Sequence, residues 1–499
     1  MKENTVYLYG QVSTTQIIKE EGHYIKGMVI IKTISKSTSF STPLILSKNQ
    51  EIIERISWLQ KGDMIRIKGV VNVENVYKTQ ICPKCGKKNK VKGVRFCVIP
   101  IALYCEERAL SEEEGLKRLQ QEGKFANQVL IAGTVCNKDG AIFYRNESGA
   151  IQTSSYQIAS NRKFLIKEDR MDIKTDYPWI YTNGAQAASD ATNLKQGSEI
   201  FVKGSVIGRE IERKTSCQHC NTSYVWWDQA GEIAADTVYY LNDNETDLNT
   251  LGLDQAAVLG KIDQIQILND TYANISLLVM PHVNFFKHCY SAEIYTVMLL
   301  ARRKEEVNTI KKLKNGDYIL AYGVISGATS KKKFTCTCGK ENINSKTISF
   351  VYPNFIKKIR DPLHESLNIS LLSEYKEFSN NISFVGIVSS KPLFSSEKQT
   401  CVYYVTFKHS LKTEKGEIDK KENIRICSTG KQAREDMLRL LPGTKVFING
   451  FLRSYDEEKT YRCECNNSYY WNQSVTEIVP YSVEYLSGYL DDKMIKSIL

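Results

Sequence analysis

Short runs in which apolar and polar residues alternate recur along the whole chain, punctuated by glycines. Alternation with a period of two marks half-buried strands, because successive side chains point to opposite faces. Four runs end in a glycine plus one or two further residues: Tyr7–Val12, Val129–Val135, Ala257–Ile262 and Ile382–Val388. Each predicts a first strand bent at its glycine, as a small barrel requires where a strand curls. A second strand-like run follows, clearest at Tyr24–Ile34 and Cys401–His409. A third leads into a stretch of helical spacing. Each such stretch carries a leucine three residues before a glycine (Leu59, Leu194, Leu313, Leu440), and that glycine is expected to cap the helix C-terminus. Trp58, in the first of these helices, is expected in the core. A fourth alternating run follows, as in DMIRIKGVV, and a fifth returns in FCVIPIALY, IAADTVYYL, ISFVYPNFI and TEIVPYSVEYL.

The fourth run belongs to a skeleton that occurs four times with identical spacing. Gly62, Gly69 and Cys82 carry it first. Gly197, Gly204 and Cys217 carry it next, then Gly316, Gly323 and Cys336, and last Gly443, Gly450 and Cys463. A second cysteine stands close behind the first in every copy. The chain is therefore a fourfold repeat, with units at 1–110, 111–245, 246–365 and 366–499. Strand, strand, strand, helix, strand, strand is the order of an OB-fold, a five-stranded Greek-key barrel. The expected fold class is all-β with short helices: four tandem OB-fold barrels, each with a cysteine-pair zinc knuckle on the hairpin joining strands four and five. Linkers are expected at Leu110–Lys124 as a short charged helix, at Asn242–Thr250, and around Arg360–Asn380.

Composition narrows the partners. A net charge of +11 favours a polyanion, nucleic acid first. No apolar run approaches the ~20 residues that span a bilayer, and the start lacks the apolar core of a signal peptide, so no membrane partner and a cytoplasmic location are expected. Eight of the fourteen cysteines form close pairs: Cys82/Cys85, Cys217/Cys220, Cys336/Cys338 and Cys463/Cys465. Cys97, Cys105, Cys136, Cys289, Cys401 and Cys427 lie mostly in apolar runs and read as buried thiols.

Close pairs in a reducing compartment read as metal ligands or redox pairs. A tetrahedral four-thiolate zinc site needs two knuckles, and each hairpin supplies one. Cys97 and Cys105 offer unit one a second pair, but units two to four have none. The sharper expectation is two zinc ions per chain, each shared between units. Which knuckle meets which stays open, and redox pairs or relics of a larger ribbon are the alternatives.

Four residues before each first cysteine stands a base: Lys78, Arg213, Lys332, Lys459. Lys214, Lys331 and Lys333 adjoin them, with Arg209 and Arg453 nearer the strand. These are expected to track the phosphates of a single strand, against the alternative that exposed hairpins carry charge for solubility. Tyr77, Phe334, Tyr455 and Tyr461 lie on the ascending arms. Trp226, Trp227 and Trp471 follow the knuckles, among Tyr224, Tyr469 and Tyr470. These rings either stack bases or pack the hairpins. No phosphate-binding loop, nucleophile elbow or recurrent acidic cluster appears, and the six histidines form no ligand pattern, so no enzyme is expected.

The stretches Gly430–Tyr455 and Gly184–Val206 resemble the bacterial single-stranded DNA-binding proteins, in which a strand runs into a G-K-x-A-type helix start, a leucine, a glycine turn and a further strand. The resemblance covers about half of each unit and is best in units two and four. It implies a role for Tyr177 and Trp179, on the third strand, where the family keeps base-stacking aromatics. The family forms homotetramers of one OB-fold per chain, so this chain resembles a covalent pseudo-tetramer, monomeric as a chain. It departs from the family in its cysteine pairs and in its end, where Asp491 and Asp492 stand in place of a long acidic tail. The expected function is non-sequence-specific single-stranded DNA binding in replication, repair, recombination or transfer, with replication or conjugation proteins as further partners. Single-stranded RNA binding and a structural adaptor role are the alternatives.

Overall fold

The computed structural model describes residues 3–35, 40–137, 141–167, 170–241, 253–280, 294–359 and 375–498. By contact the chain divides into two compact units, one built on residues 1–243 and the other on 244–360 with 368–499. The expected linker at Asn242–Thr250, and most of that around Arg360–Asn380, lie outside the described residues. The linker at Leu110–Lys124 contains a helix, Glu112–Glu122. A reciprocal capping box between Ser111 and Glu114 starts it.

Within each unit the strands form two closed circuits of the same plan. In circuit one the five strands are Asn4–Glu20, His23–Ile34, Leu44–Ser47, Met64–Ile81 and Lys88–Glu107. Strand one pairs with two, two with three, and three runs parallel to five. Five then pairs with four and four with one, which closes the circuit. Circuit two repeats this with Asn127–Val135, Ile151–Lys167, Trp179–Asn183, Glu199–Ser216 and Ser223–Tyr240. In the second unit, circuit three uses Asp254–Asn269, Tyr272–Val279, Tyr295–Ala301, Tyr318–Thr335 and Glu341–Lys358. Circuit four uses Asn380–Val388, Thr400–Thr413, Gly416–Thr429, Lys445–Arg462 and Ser468–Ser487. A helix sits between strands three and four each time: Gln50–Ser57, Gly184–Asn193, Lys304–Ile310 and Gly430–Arg439.

The strand-one segments join the two circuits of a unit. They pair antiparallel, with Val6 opposite Val129 in the first unit and Ala256 opposite Ile382 in the second. This explains why these strands start as unbroken apolar runs: both edges are paired and both faces are covered. A single apolar core then spans both circuits of each unit. Side-chain amides reinforce the joint. Asn4 exchanges two hydrogen bonds with the backbone of Val71, Asn127 does so with Val206, and Asn380 with Leu452.

The repeated glycines have separate jobs. Gly62, Gly197, Gly316 and Gly443 have φ of +95°, +86°, +90° and +94°. Their N–H groups donate to Val12, Val135, Ile262 and Val388 at the end of the first strand's buried half. They are not helix C-caps as expected. The helices end several residues earlier, and the leucine between turns inward to the core, as Leu59 and Leu440 do. Gly69, Gly204, Gly323 and Gly450 sit at register shifts, where strand five crosses strand four too closely for a side chain. The helix start shared by circuits two and four places Gln186 and Asp190 against Tyr240, and Gln432 and Asp436 against Tyr485, as a buried hydrogen-bond cluster. Trp58 is not core. It is the C-terminal cap of its helix and is 48% exposed, because Ile52, Ile53 and Ile56 already fill the inward face.

In circuit three, Asp254 stands where Asn4, Asn127 and Asn380 stand elsewhere, and it pairs with His409 of circuit four. Glu422 lies 3.5 Å from the other ring nitrogen and is held by Lys420 at 2.6 Å and Ser326 at 2.8 Å. Burial opposes a charged ring, but the two carboxylates outweigh it and push His409 up to about 9. A raised histidine contributes stability in full below its ordinary 6.5 and loses it as pH rises through about 9. The expected gap in urea-unfolding free energy between the wild type and His409→Gln is therefore about 2–4 kcal/mol near pH 6 and small above pH ~10. A gap that stays constant across that range would show the ring to be neutral in the fold.

Candidate metal centres and nucleic-acid interface

The hairpins joining strands four and five end in knuckles. In each, the first cysteine's N–H closes the turn on a carbonyl beyond the second cysteine: Cys82 on Lys87, Cys217 on Thr222, Cys336 on Lys340, Cys463 on Asn467. The residue after the second cysteine has positive φ and is Gly86, Asn221, Gly339 or Asn466. Glycine and asparagine are the residues that accept this conformation most readily.

Because the two circuits of a unit meet about their first strands, their knuckles come together. Cys82, Cys85, Cys217 and Cys220 form one cluster, and Cys336, Cys338, Cys463 and Cys465 a second, with all four sulfurs of each within 4.8 Å of one another. Cys82 lies 3.7 Å from Cys220 and Cys85 lies 3.6 Å from Cys217. In the second cluster Cys336 lies 3.4 Å from Cys465, and Cys338 lies 3.8 Å from Cys463. A tetrahedral ion with metal–sulfur bonds near 2.3 Å sets its sulfurs ~3.8 Å apart, whereas a disulfide needs ~2.05 Å. The eight thiols are free and spaced as a four-thiolate metal site requires. The knuckles therefore pair between circuits, one with two and three with four. Cys97 and Cys105 take no part: both are buried elsewhere, Cys97 against the Asn72 amide.

Polar groups around the sulfurs favour the thiolate at Cys217 and Cys336. At Cys85 and Cys465 the Lys87 and Asn467 N–H groups are outweighed by desolvation and the neighbouring thiols, which push these two up to about 11 and about 12. Desolvation pushes Cys217 up, but the N–H groups of His219 and Cys220 and the Asn89 amide outweigh it and hold the thiol down to about 5. The Cys338 N–H and the Tyr469 hydroxyl hold Cys336 down to about 5. Asn89 bridges the first cluster, with its amide nitrogen 3.4 Å from Cys217 and 3.3 Å from the Tyr224 hydroxyl and its carbonyl accepting from the Gln218 N–H. Tyr469 has the matching place in the second. Its hydroxyl donates to Cys336 at 2.9 Å and accepts from the Thr337 N–H. Asn89, Tyr224 and Tyr469 are second-layer groups that the knuckle motif alone does not point to.

The residues expected to contact a single strand divide into three sets. Tyr77 is 70% exposed, Trp227 65% and Trp179 36%, and Tyr177, Lys214, Lys331 and Lys333 are also exposed. A second set is engaged within the protein. Trp226 is 7% exposed and packs with Tyr224, Val91 and the first cysteine cluster, so it is a hairpin core residue and not a stacking platform. Lys78 and Arg213 both pair with buried Asp228 between the two hairpins; Lys78 is half-buried there, while Arg213 stays 46% exposed. Arg453 pairs with buried Glu477 and lies over the half-buried Tyr455 ring. The side chains of the third set, Arg209, Lys332, Phe334, Lys459, Tyr461 and Trp471, lie outside the described residues.

No family model and no curated protein matches the sequence. Among solved structures, a deletion mutant of the single-stranded DNA binding protein from Thermus aquaticus is 14% identical over 48% of this chain and 93% of its own, with a TM-score of 0.29. The small single-stranded DNA-binding protein of Streptomyces coelicolor is 13% identical over 23% of this chain and 92% of its own, with a TM-score of 0.17. The Plasmodium falciparum SSB complex with ssDNA is 17% identical over 23% and 95%, with a TM-score of 0.18.

Proposed function

We propose that the chain is four fused OB-folds, with boundaries near 110, 245 and 365, that bind single-stranded DNA without sequence specificity and perform no chemistry. Each tetracysteine cluster holds one zinc ion, through Cys82, Cys85, Cys217 and Cys220 or through Cys336, Cys338, Cys463 and Cys465. The ion supplies a structural cross-link between two hairpins. The observation that carries the reading is the strand circuit, present in each quarter of the chain with strand three parallel to strand five and a helix between strands three and four. An OB-fold receives oligonucleotides on the face of strands two and three and on its flanking loops. In circuit two this face presents Trp179 and, on the strand flanking strand two, exposed Tyr144.

Titration with oligo-dT is expected to quench tryptophan fluorescence, with affinity falling on added salt by a log–log slope of about −0.7 per phosphate contact. Trp179→Ala is expected to weaken binding about 5- to 150-fold, the worth of one stacked base. Absence of both quenching and a gel shift at low salt would sink the reading, and a preference for poly-U over poly-dT in competition would move it to RNA.

A further inference from the structure

Circuit three differs from circuit two on the face of strands two and three. Its outward side chains there are Met298 and Leu300, continued by Phe350 and Tyr352 on strand five and Val324 on strand four. Such an apolar and aromatic surface suits base stacking, yet Leu300, Val324, Phe350 and Tyr352 are buried. What covers them is the hairpin of strands two and three of circuit four. Leu411, 3% exposed, inserts among these side chains. The Tyr352 hydroxyl donates to the Lys412 carbonyl at 2.6 Å, and the Lys304 N–H donates to Glu414 at 2.5 Å. Further from the turn Lys420 donates to Ser326 at 2.9 Å and to the Gly327 carbonyl at 2.6 Å, beside the His409–Asp254 pair.

The same anchor occurs in the first unit. Lys174 donates to Asn72 at 2.8 Å, and Asp176 accepts from the Val73 N–H at 2.9 Å. Asn72 and Ser326 each lie three residues past the second skeleton glycine.

We infer that the hairpin of circuit four, through Leu411, Lys412 and Lys420, is an internal occupant of the nucleic-acid face of circuit three, and that it removes this circuit from the path of the bound strand. The inference rests on the single-strand-binding reading. It makes the repeats of a unit unequal: circuit three is held closed by its neighbour while circuit four keeps its own strand-two and strand-three face for the ligand. The shared anchor, with Leu46 and Val70 buried on the corresponding face, extends the same expectation to circuit one.

Ultraviolet cross-linking of oligo-dT to the full-length wild type, with peptide mapping, tests it. Cross-links are expected on circuits two or four and none at Tyr272, Met298, Phe350 or Tyr352. A wild-type cross-link at any of those four overturns the inference. In the double variant Leu411→Asp/Lys420→Ala, the freed face is expected to gain cross-links, and the occluded site to lengthen by one circuit's share, ~4–16 nucleotides. A variant whose hairpin amides exchange freely while the face still takes no cross-link also overturns it. If the variant does not fold, the wild-type map decides alone. No binding to any circuit refutes the single-strand reading itself, and this inference with it.

Discussion

Acid-denatured, the purified chain is expected to release two zinc ions per molecule, and Cys85→Ser and Cys338→Ser are each expected to release one. Four sulfurs at 3.4–3.8 Å across each pair of knuckles have the spacing of a tetrahedral thiolate site. Four thiolates this close would repel one another without a cation, so without metal each cluster keeps protonated thiols, and binding a cation is expected to release those protons. Structural zinc of this kind binds with an apparent ~10–16 kcal/mol, comparable to the whole stability of a domain, ~5–15 kcal/mol. Losing one ion is therefore expected to unpin one pair of hairpins and to lower the melting temperature of that unit. The two sites should not be equally tenacious. In the first, the outer cysteines Cys85 and Cys220 are half-buried, while in the second Cys338 and Cys465 are exposed. A chelator with a zinc-sensitive dye is expected to show two release phases, the faster one absent from Cys338→Ser. Cys97→Ser, away from both clusters, is expected to keep both ions. Fewer than one zinc per wild-type chain, or two in Cys85→Ser, would rule the sites out.

Much of the architecture was legible in the alternation of apolar residues and in the repeated skeleton, because both are local. The pairing of knuckles was also legible, although only in retrospect: the two-residue spacing of Cys82/Cys85 matches Cys217/Cys220, and the one-residue spacing of Cys336/Cys338 matches Cys463/Cys465. Circuits whose cysteines form one cluster share a knuckle length. The opposite facing of Trp226 and Trp227 had a signal too. Tyr224, Trp226 and Asp228 alternate onto the buried face of their strand, and Val225 and Trp227 onto the exposed one. The direction of Lys78 had no such signal. Its partner Asp228 lies in another circuit, and a recurring base reads the same whether it faces a phosphate or a carboxylate. The cover over circuit three was illegible for the same reason, since Leu411 lies on an alternating strand like any other.

Gly323→Ala is expected to destabilise circuit three far more than Gly316→Ala, although both replace a skeleton glycine with the smallest side chain. At Gly316 the φ of +90° strains an L-residue, but a Cβ there meets nothing within 4 Å. The expected cost is that of the left-handed region alone, about 1–2 kcal/mol. At Gly323 a Cβ would stand 2.1 Å from the Tyr352 carbonyl oxygen and 2.8 Å from its carbon. Both atoms belong to the backbone of strand five, so no rotamer relieves the contact. Strands four and five must separate where the register shifts between Tyr322 and Gly323, next to the parallel pairing that closes the circuit. Overpacking costs typically 1–3 kcal/mol, and with only backbone to yield we expect about 3 kcal/mol or more. Hydrogen exchange separates the two variants. Amides of Tyr318–Thr335 that open with the circuit should exchange on the order of 100-fold faster in Gly323→Ala, and only about 10-fold faster in Gly316→Ala. Equal acceleration in both would mean that the glycine under the crossing is kept for its backbone freedom and not for the space it leaves.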